Sequence, residues 1–148
     1  MIEAIKSLFR THPPTPSEGV SQSEALALLE THFEPYKQAL KLGHWDIKVT
    51  FTELPGTTDA ENRYNTHYNE SNIAIDLSKM TDGNYFLHTL RHELYHLLHA
   101  PFTATISGME RVLSDREYEL LRSRYDYECE QFVVNLELIF RGKLFDIS

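Results

Sequence analysis

The chain has 148 residues, a 41% apolar share and a formal net charge of −8 at pH 7. That length suits one domain with a sizeable core, and the acidic balance argues against a nucleic-acid-binding surface, which is normally basic. The single cysteine, Cys129, forbids an internal disulfide. No apolar run approaches the roughly 20 residues of a membrane span, and the N-terminus is too poor in apolar residues for a signal peptide, so a cytoplasmic protein without a membrane partner is expected.

Ile2, Ile5, Leu8 and Phe9 make a short amphipathic stretch, and residues 11–19 form a breaker-rich linker around Pro13, Pro14 and Pro16. Residues 1–20 therefore read as an N-terminal arm and linker, and 21–148 as a single domain. Ser21 and Glu24 form a capping-box pair opening a helix through Leu26, Leu28, Leu29 and Phe33. Pro35 is expected to kink or split it, and Gly43 to stop it. The period then changes from 3.6 to 2. Trp45, Ile47, Val49 and Phe51 alternate with Asp46, Lys48 and Thr50, a half-buried strand. Leu54-Pro55-Gly56 turns the chain. Residues 60–70 read as a strand or extended loop, Asn69 to Asn72 as a turn, and Ile73 to Leu77 as a short strand. A small sheet of about three strands follows from this order.

The next stretch carries the chemistry. His92-Glu93-Leu94-Tyr95-His96 places two imidazoles four residues apart, one above the other on a helix. Both can reach one metal ion, while Glu93 can act as a general base on water, the arrangement of a zinc hydrolase. Phe86, Leu90, Leu94, Leu97 and Leu98 give this helix an apolar stripe. Asp82 or Thr81 offers its N-cap, and Pro101 is expected to stop it after Ala100. A loop from Phe102 to Leu113 should follow. Ser114 and Glu117 then make a second capping box for a long helix over about 115–141, with Tyr118, Leu121, Tyr125, Phe132, Leu136 and Ile139 on its buried side.

A catalytic zinc site needs three protein ligands and an open position. No histidine follows His99, which excludes a downstream third histidine. His99, seven residues from His92, suits a supporting or helix-end role better than ligation. His88 lies four residues before His92, and a packed core histidine is the expected reading. The third ligand is therefore sought among Asp126, Glu128, Glu130 and Glu137. At about 100° per residue, Glu128 sits some 70° from the centre of the expected stripe and Glu130 about 130° away. Glu128 is preferred. Glu130 replaces it if the second apolar line, through Tyr127, Val134 and Leu138, faces the motif helix.

Two strands, a helix bearing His92-Glu93-Leu94-Tyr95-His96-Leu97-Leu98-His99 and a later glutamate resemble a minimal gluzincin. The wording is similar to the ImmA/IrrE-type metallopeptidases and to small phage-encoded metallopeptidases. Glu128-Cys129-Glu130-Gln131-Phe132-Val133 resembles the third-ligand run of the former and favours Glu128. The register of the phage-type proteins, with the glutamate ahead of Val133-Val134, favours Glu130. The downstream run of the first family is absent at Asn135-Leu136-Glu137-Leu138. The likeness covers roughly residues 45–140 and implies an α+β, zincin-like fold with Zn2+ as cofactor.

The function expected is hydrolysis of peptide bonds in a peptide or protein substrate, with Glu93 passing a proton to the leaving amine. Tyr125, Tyr127, His67 and Tyr68 are candidate donors to the oxyanion. Ile73 to Leu77 is a candidate edge for substrate pairing. The alternative is an idle zinc-binding domain serving as an interaction module. The intact Glu93 speaks against it, since a structural site has no use for a base.

Overall fold

A computed structural model describes residues 19–140. Its elements are α1 (Gln22–Ala39), β1 (Asp46–Phe51), β2 (Ala60–Asn65), β3 (Glu70–Ile75), a 3₁₀ turn (Leu77–Lys79), α2 (Gly83–Gly108), a second 3₁₀ turn (Met109–Arg111) and α3 (Asp115–Phe140). The expected arm and linker fall outside the described residues except for Gly19 and Val20. The described residues are α+β: three α-helices beside one mixed sheet.

Sheet order is β1-β3-β2, with β3 parallel to β1 and antiparallel to β2. Both edges of β3 are thus occupied. Ile47, Ile73 and Ile75 face inward and are buried, as alternation in a half-buried sheet requires. β3 begins at Glu70, not Ile73, because Asp46 to Lys48 and Arg63 to Asn65 pair with Glu70 to Asn72. The turn expected at Asn69 to Asn72 lies three residues earlier, at Thr66 to Asn69, ending on Asn69 with φ 53°.

Helix α2 is the centre of the core. Phe86, Leu90, Leu94 and Leu97 are buried along one side, the stripe that the sequence implies, and Phe51 meets Phe86 edge-on at 6.2 Å. Asp82 caps the helix, its carboxylate accepting from the Tyr85 amide at 2.8 Å. Pro101 does not end it. The helix runs on to Gly108 with the proline inside, so Thr103 is helical rather than in a loop. Pro35 likewise sits inside an unbroken α1. A proline removes one amide and crowds one carbonyl, and in both helices enough neighbouring turns remain to carry the element through. Gly43 is not the stop of α1. Lys41, at φ 59°, takes the left-handed position, and its amide and that of Leu42 close on Gln38 and Lys37 carbonyls at 3.1 and 2.8 Å.

Helix α3 lies on α2 through Cys129 and Val133, both buried. Phe132 and Ile139, expected in the core, are 44% and 63% exposed. The buried face is therefore rotated from the expected one. The Glu117 carboxylate accepts from the Ser114 amide at 3.0 Å, as a capping box requires. No helix among the described residues is long and apolar enough to cross a membrane.

Candidate functional site

A groove of about 860 Å³ opens between β2, the middle of α2 and the middle of α3. Its sheet wall is the segment from Thr58 to Asn62 together with Tyr64, its floor is His88, Thr89, His92, Glu93, His96 and His99, and its far wall includes Tyr125, Cys129 and Glu130. The sheet wall is firmly held. The Asp76 carboxylate accepts from the Leu54 amide at 3.0 Å, and Lys79 Nζ donates to the Leu54 and Thr58 carbonyls at 2.7 and 2.9 Å. Asn62 then joins β2 to the motif itself. Its Nδ2 donates to the Glu93 carbonyl at 2.8 Å, and its Oδ1 accepts from Ser71 Oγ at 2.7 Å.

His92 and His96, one helical turn apart, bring their Nε2 atoms to 3.2 Å. Glu130 crosses from α3, its Oε1 at 3.4 Å from His96 Nε2 and its Oε2 at 3.6 Å from His92 Nε2. Ligand bonds of about 2.0–2.1 Å around a tetrahedral ion place neighbouring donor atoms about 3.3 Å apart. The donor set and its spacing therefore fit a small divalent ion. His92, Glu93 and His96 also present donor atoms within 4.8 Å of one another and could hold a metal ion. Glu93 leaves the same helix as the two imidazoles and is buried, whereas Glu130 reaches them from α3.

Glu128 is not brought to the histidines. It forms an ion pair with Arg124 on its own helix and is half exposed. The physical reason lies in the rotated face of α3. About a buried stripe of Tyr125, Cys129, Val133 and Leu136, Glu128 and Glu130 fall roughly 100° away on opposite sides. Only the Glu130 side looks into the groove.

Each histidine has a partner behind it. The Glu137 carboxylate lies 2.9 Å from His92 Nδ1. An ionised carboxylate only accepts, so against one the Nδ1 of His92 donates, and a neutral ring in that arrangement presents its Nε2 lone pair to the gap. Behind His96, its Nδ1 lies 3.1 Å from His99 Nε2. The Glu137 role was open to sequence reasoning: it sits seven residues after Glu130, two turns along the same face. Asn62 gave no signal, since nothing in residues 60–70 marks which side of the strand meets a helix.

Burial shapes the titrating groups. Glu93 is buried, and loss of hydration drives its carboxyl up to about 7, with the nearby His92 opposing and Glu130 adding to the rise. Burial, and then the two neighbouring imidazoles, pull His96 down to about 4. Burial also lowers His99, whose Nδ1 has no hydrogen-bond partner among the described residues. An orphaned buried polar group costs about 1–3 kcal/mol.

Of the four candidate oxyanion donors, Tyr125 and Tyr127 line the groove and His67 and Tyr68 do not. The Tyr125 hydroxyl is engaged, 2.8 Å from Thr103 Oγ1 and 3.3 Å from the His99 carbonyl, and Thr103 in turn meets Tyr64 at 2.9 Å. His88 is no core residue; its side chain is 48% exposed and 3.8 Å from Glu137. The edge strand beside the groove is β2, not the Ile73 to Leu77 segment, because β3 is central.

No protein-family model, curated protein or solved structure matches this chain.

Proposed function

We propose that this chain is a zinc-dependent peptidase with a zincin-like arrangement of the gluzincin kind, in which His92, His96 and Glu130 hold the ion and Glu93 is the general base. The observation that carries this reading is the convergence of two imidazole nitrogens and one carboxylate, 3.2–3.6 Å apart, beside a buried glutamate in an open groove. A zinc ion bound there supplies Lewis acidity for attack of water on a carbonyl.

The residues of the chain do the rest. Glu93, buried beside the two imidazoles, is placed to take a proton and return it, the work of a general acid–base group. Asn62 anchors the Glu93 carbonyl to β2, so base and sheet wall keep a fixed relation. The free edge of β2 offers backbone groups to an extended peptide, which would lie across His92, Glu93 and His96. The groove, roughly 860 Å³, has room for several side chains of such a peptide.

The test uses full-length protein purified without a histidine tag. The expected result is about one zinc per chain by metal analysis, lost in His92→Ala and kept in Glu93→Gln, with turnover of a broad peptide library falling at least about 10²-fold in Glu93→Gln. Equal turnover by parent and Glu93→Gln would end the peptidase reading, whereas metal retained without turnover would point to an idle zinc domain.

A further inference from the structure

A third imidazole stands behind the second. His99 Nε2 lies 3.1 Å from His96 Nδ1, on the other side of the ring from the 3.2 Å meeting of the His92 and His96 Nε2 atoms. The His99 ring is wedged edge-on between Tyr125 and Phe132, with centroids 6.3 and 6.1 Å away and planes at 85° and 81°. It is buried, and its other nitrogen, Nδ1, is sealed off without a hydrogen-bond partner among the described residues.

We infer that His99 is a positioning residue for the metal, whose Nε2 accepts the Nδ1 proton of His96 and so fixes the tautomer in which His96 Nε2 offers its lone pair to the ion. This rests on the metal-binding reading above. An imidazole that ligates through Nε2 carries its proton on Nδ1, and in a buried place that proton needs an acceptor. For His92 the acceptor is the Glu137 carboxylate. For His96 it is a neutral ring.

The geometry excludes ligation by His99 itself, because its near nitrogen faces the back of His96 and not the gap shared with Glu130. Two proton arrangements are open to the pair. In one, His96 donates to His99 and its Nε2 is free. In the other, His99 donates to His96, and the His96 proton moves to Nε2, where it blocks coordination. The number of protons is the same, and His99 Nδ1 is unpartnered in both. A leucine or phenylalanine would fill this space without burying an unpartnered nitrogen. What the imidazole adds is the contact made by Nε2.

Three proteins test this: the parent, His99→Phe, which keeps the ring volume without nitrogens, and His99→Gln, whose amide oxygen lies as many bonds from Cβ as Nε2 does. Zinc affinity is measured by competition with a chromophoric chelator, and the melting temperature of each apoprotein is recorded alongside. His99→Phe should bind zinc about 10–100-fold more weakly, and His99→Gln should recover affinity to within about threefold of the parent, with all three apoproteins folded. His99→Met, also without a nitrogen, repeats the first comparison should the phenylalanine variant fail to fold. Parent-like affinity in His99→Phe or His99→Met overturns the inference and leaves the metal reading standing, and so does a loss in folded His99→Gln as deep as in His99→Phe. Absence of zinc uptake by the parent overturns both.

Discussion

Glu137 of α3 holds Nδ1 of His92 on α2 at 2.9 Å. A carboxylate in that place orients the ring and raises its basicity, so its removal acts on the metal and not only on the fold. Glu137→Ala should weaken zinc binding about 10–100-fold, measured by chelator competition. Glu137→Gln, which keeps an acceptor oxygen and loses the charge, should fall between parent and alanine variant. Unchanged affinity in Glu137→Ala would show that the contact does not serve the site.

Glu130 and Glu128 separate sharply. Glu130→Ala removes the only carboxylate we assign as a ligand and should abolish stoichiometric zinc in purified protein. Glu128→Ala removes one half of an exposed ion pair within a helix, worth about 0.3–0.5 kcal/mol, and should leave zinc content at the parent value. Metal analysis of the two variants side by side decides the matter, and the reverse pattern would restore Glu128.

The metal-free protein should show a proton exchange between Glu93 and His96. Glu93 titrates near 7 when folded against an ordinary 4.5, and His96 near 4 against 6.5. Between those ordinary values the unfolded chain holds a proton on His96 and none on Glu93, while the folded chain holds one on Glu93 and none on His96. The proton counts match, so this pair gives stability no slope with pH. Glu93→Gln leaves His96 alone, whose contribution is lost as pH falls from 6.5 toward 4. It also relieves the cost of a buried charge, which in the parent grows as pH rises from 4.5 through 7. In chelator-treated protein the advantage of Glu93→Gln over the parent should grow by roughly 2–3 kcal/mol between pH 5 and pH 8, read from urea melts. An advantage that does not change with pH would refute the raised Glu93.

Asn62 links a strand, through Ser71, to the backbone of the motif. Asn62→Ala removes a second donor from the Glu93 carbonyl, which keeps its bond within α2, and leaves the buried Ser71 hydroxyl without its acceptor, and should cost about 1–3 kcal/mol. If it holds Glu93 in place as well, turnover per folded molecule should drop while zinc content stays constant. Urea melts combined with single-turnover assays separate the two effects, and parent-like values in both would mean water replaces the amide.

The parts written locally in the chain were legible. Phe86, Leu90, Leu94 and Leu97 announce a buried helix by spacing alone, Asp82 caps it, and Trp45 and Ile47 mark the inner side of β1. What needed the third dimension was less so. Pro101 and Pro35 read as breaks because propensity is local, whereas the turns on both sides of each carry the helix through. Lys41 took the left-handed position because the chain reverses there, two residues before the glycine that signals it. Phe132 and Ile139 looked like core and Cys129 did not, since size and hydropathy say little about which side of a helix meets a neighbour. That rotation turns Glu130 and not Glu128 toward the histidines, and only the packing of α3 on α2 sets it.

With β1 and β2 flanking β3, both are edge strands, and it is the rim of β2 that lies beside the groove with amides and carbonyls left to share. A polypeptide can dock there only if its own are likewise unspent. Helices and sealed sheets in a neighbour have none to give, so under the proposed activity well-folded bystanders are spared. Frayed tails and slack loops become the vulnerable stretches, and selectivity is exercised first on the local order of the target and only afterwards on its side chains.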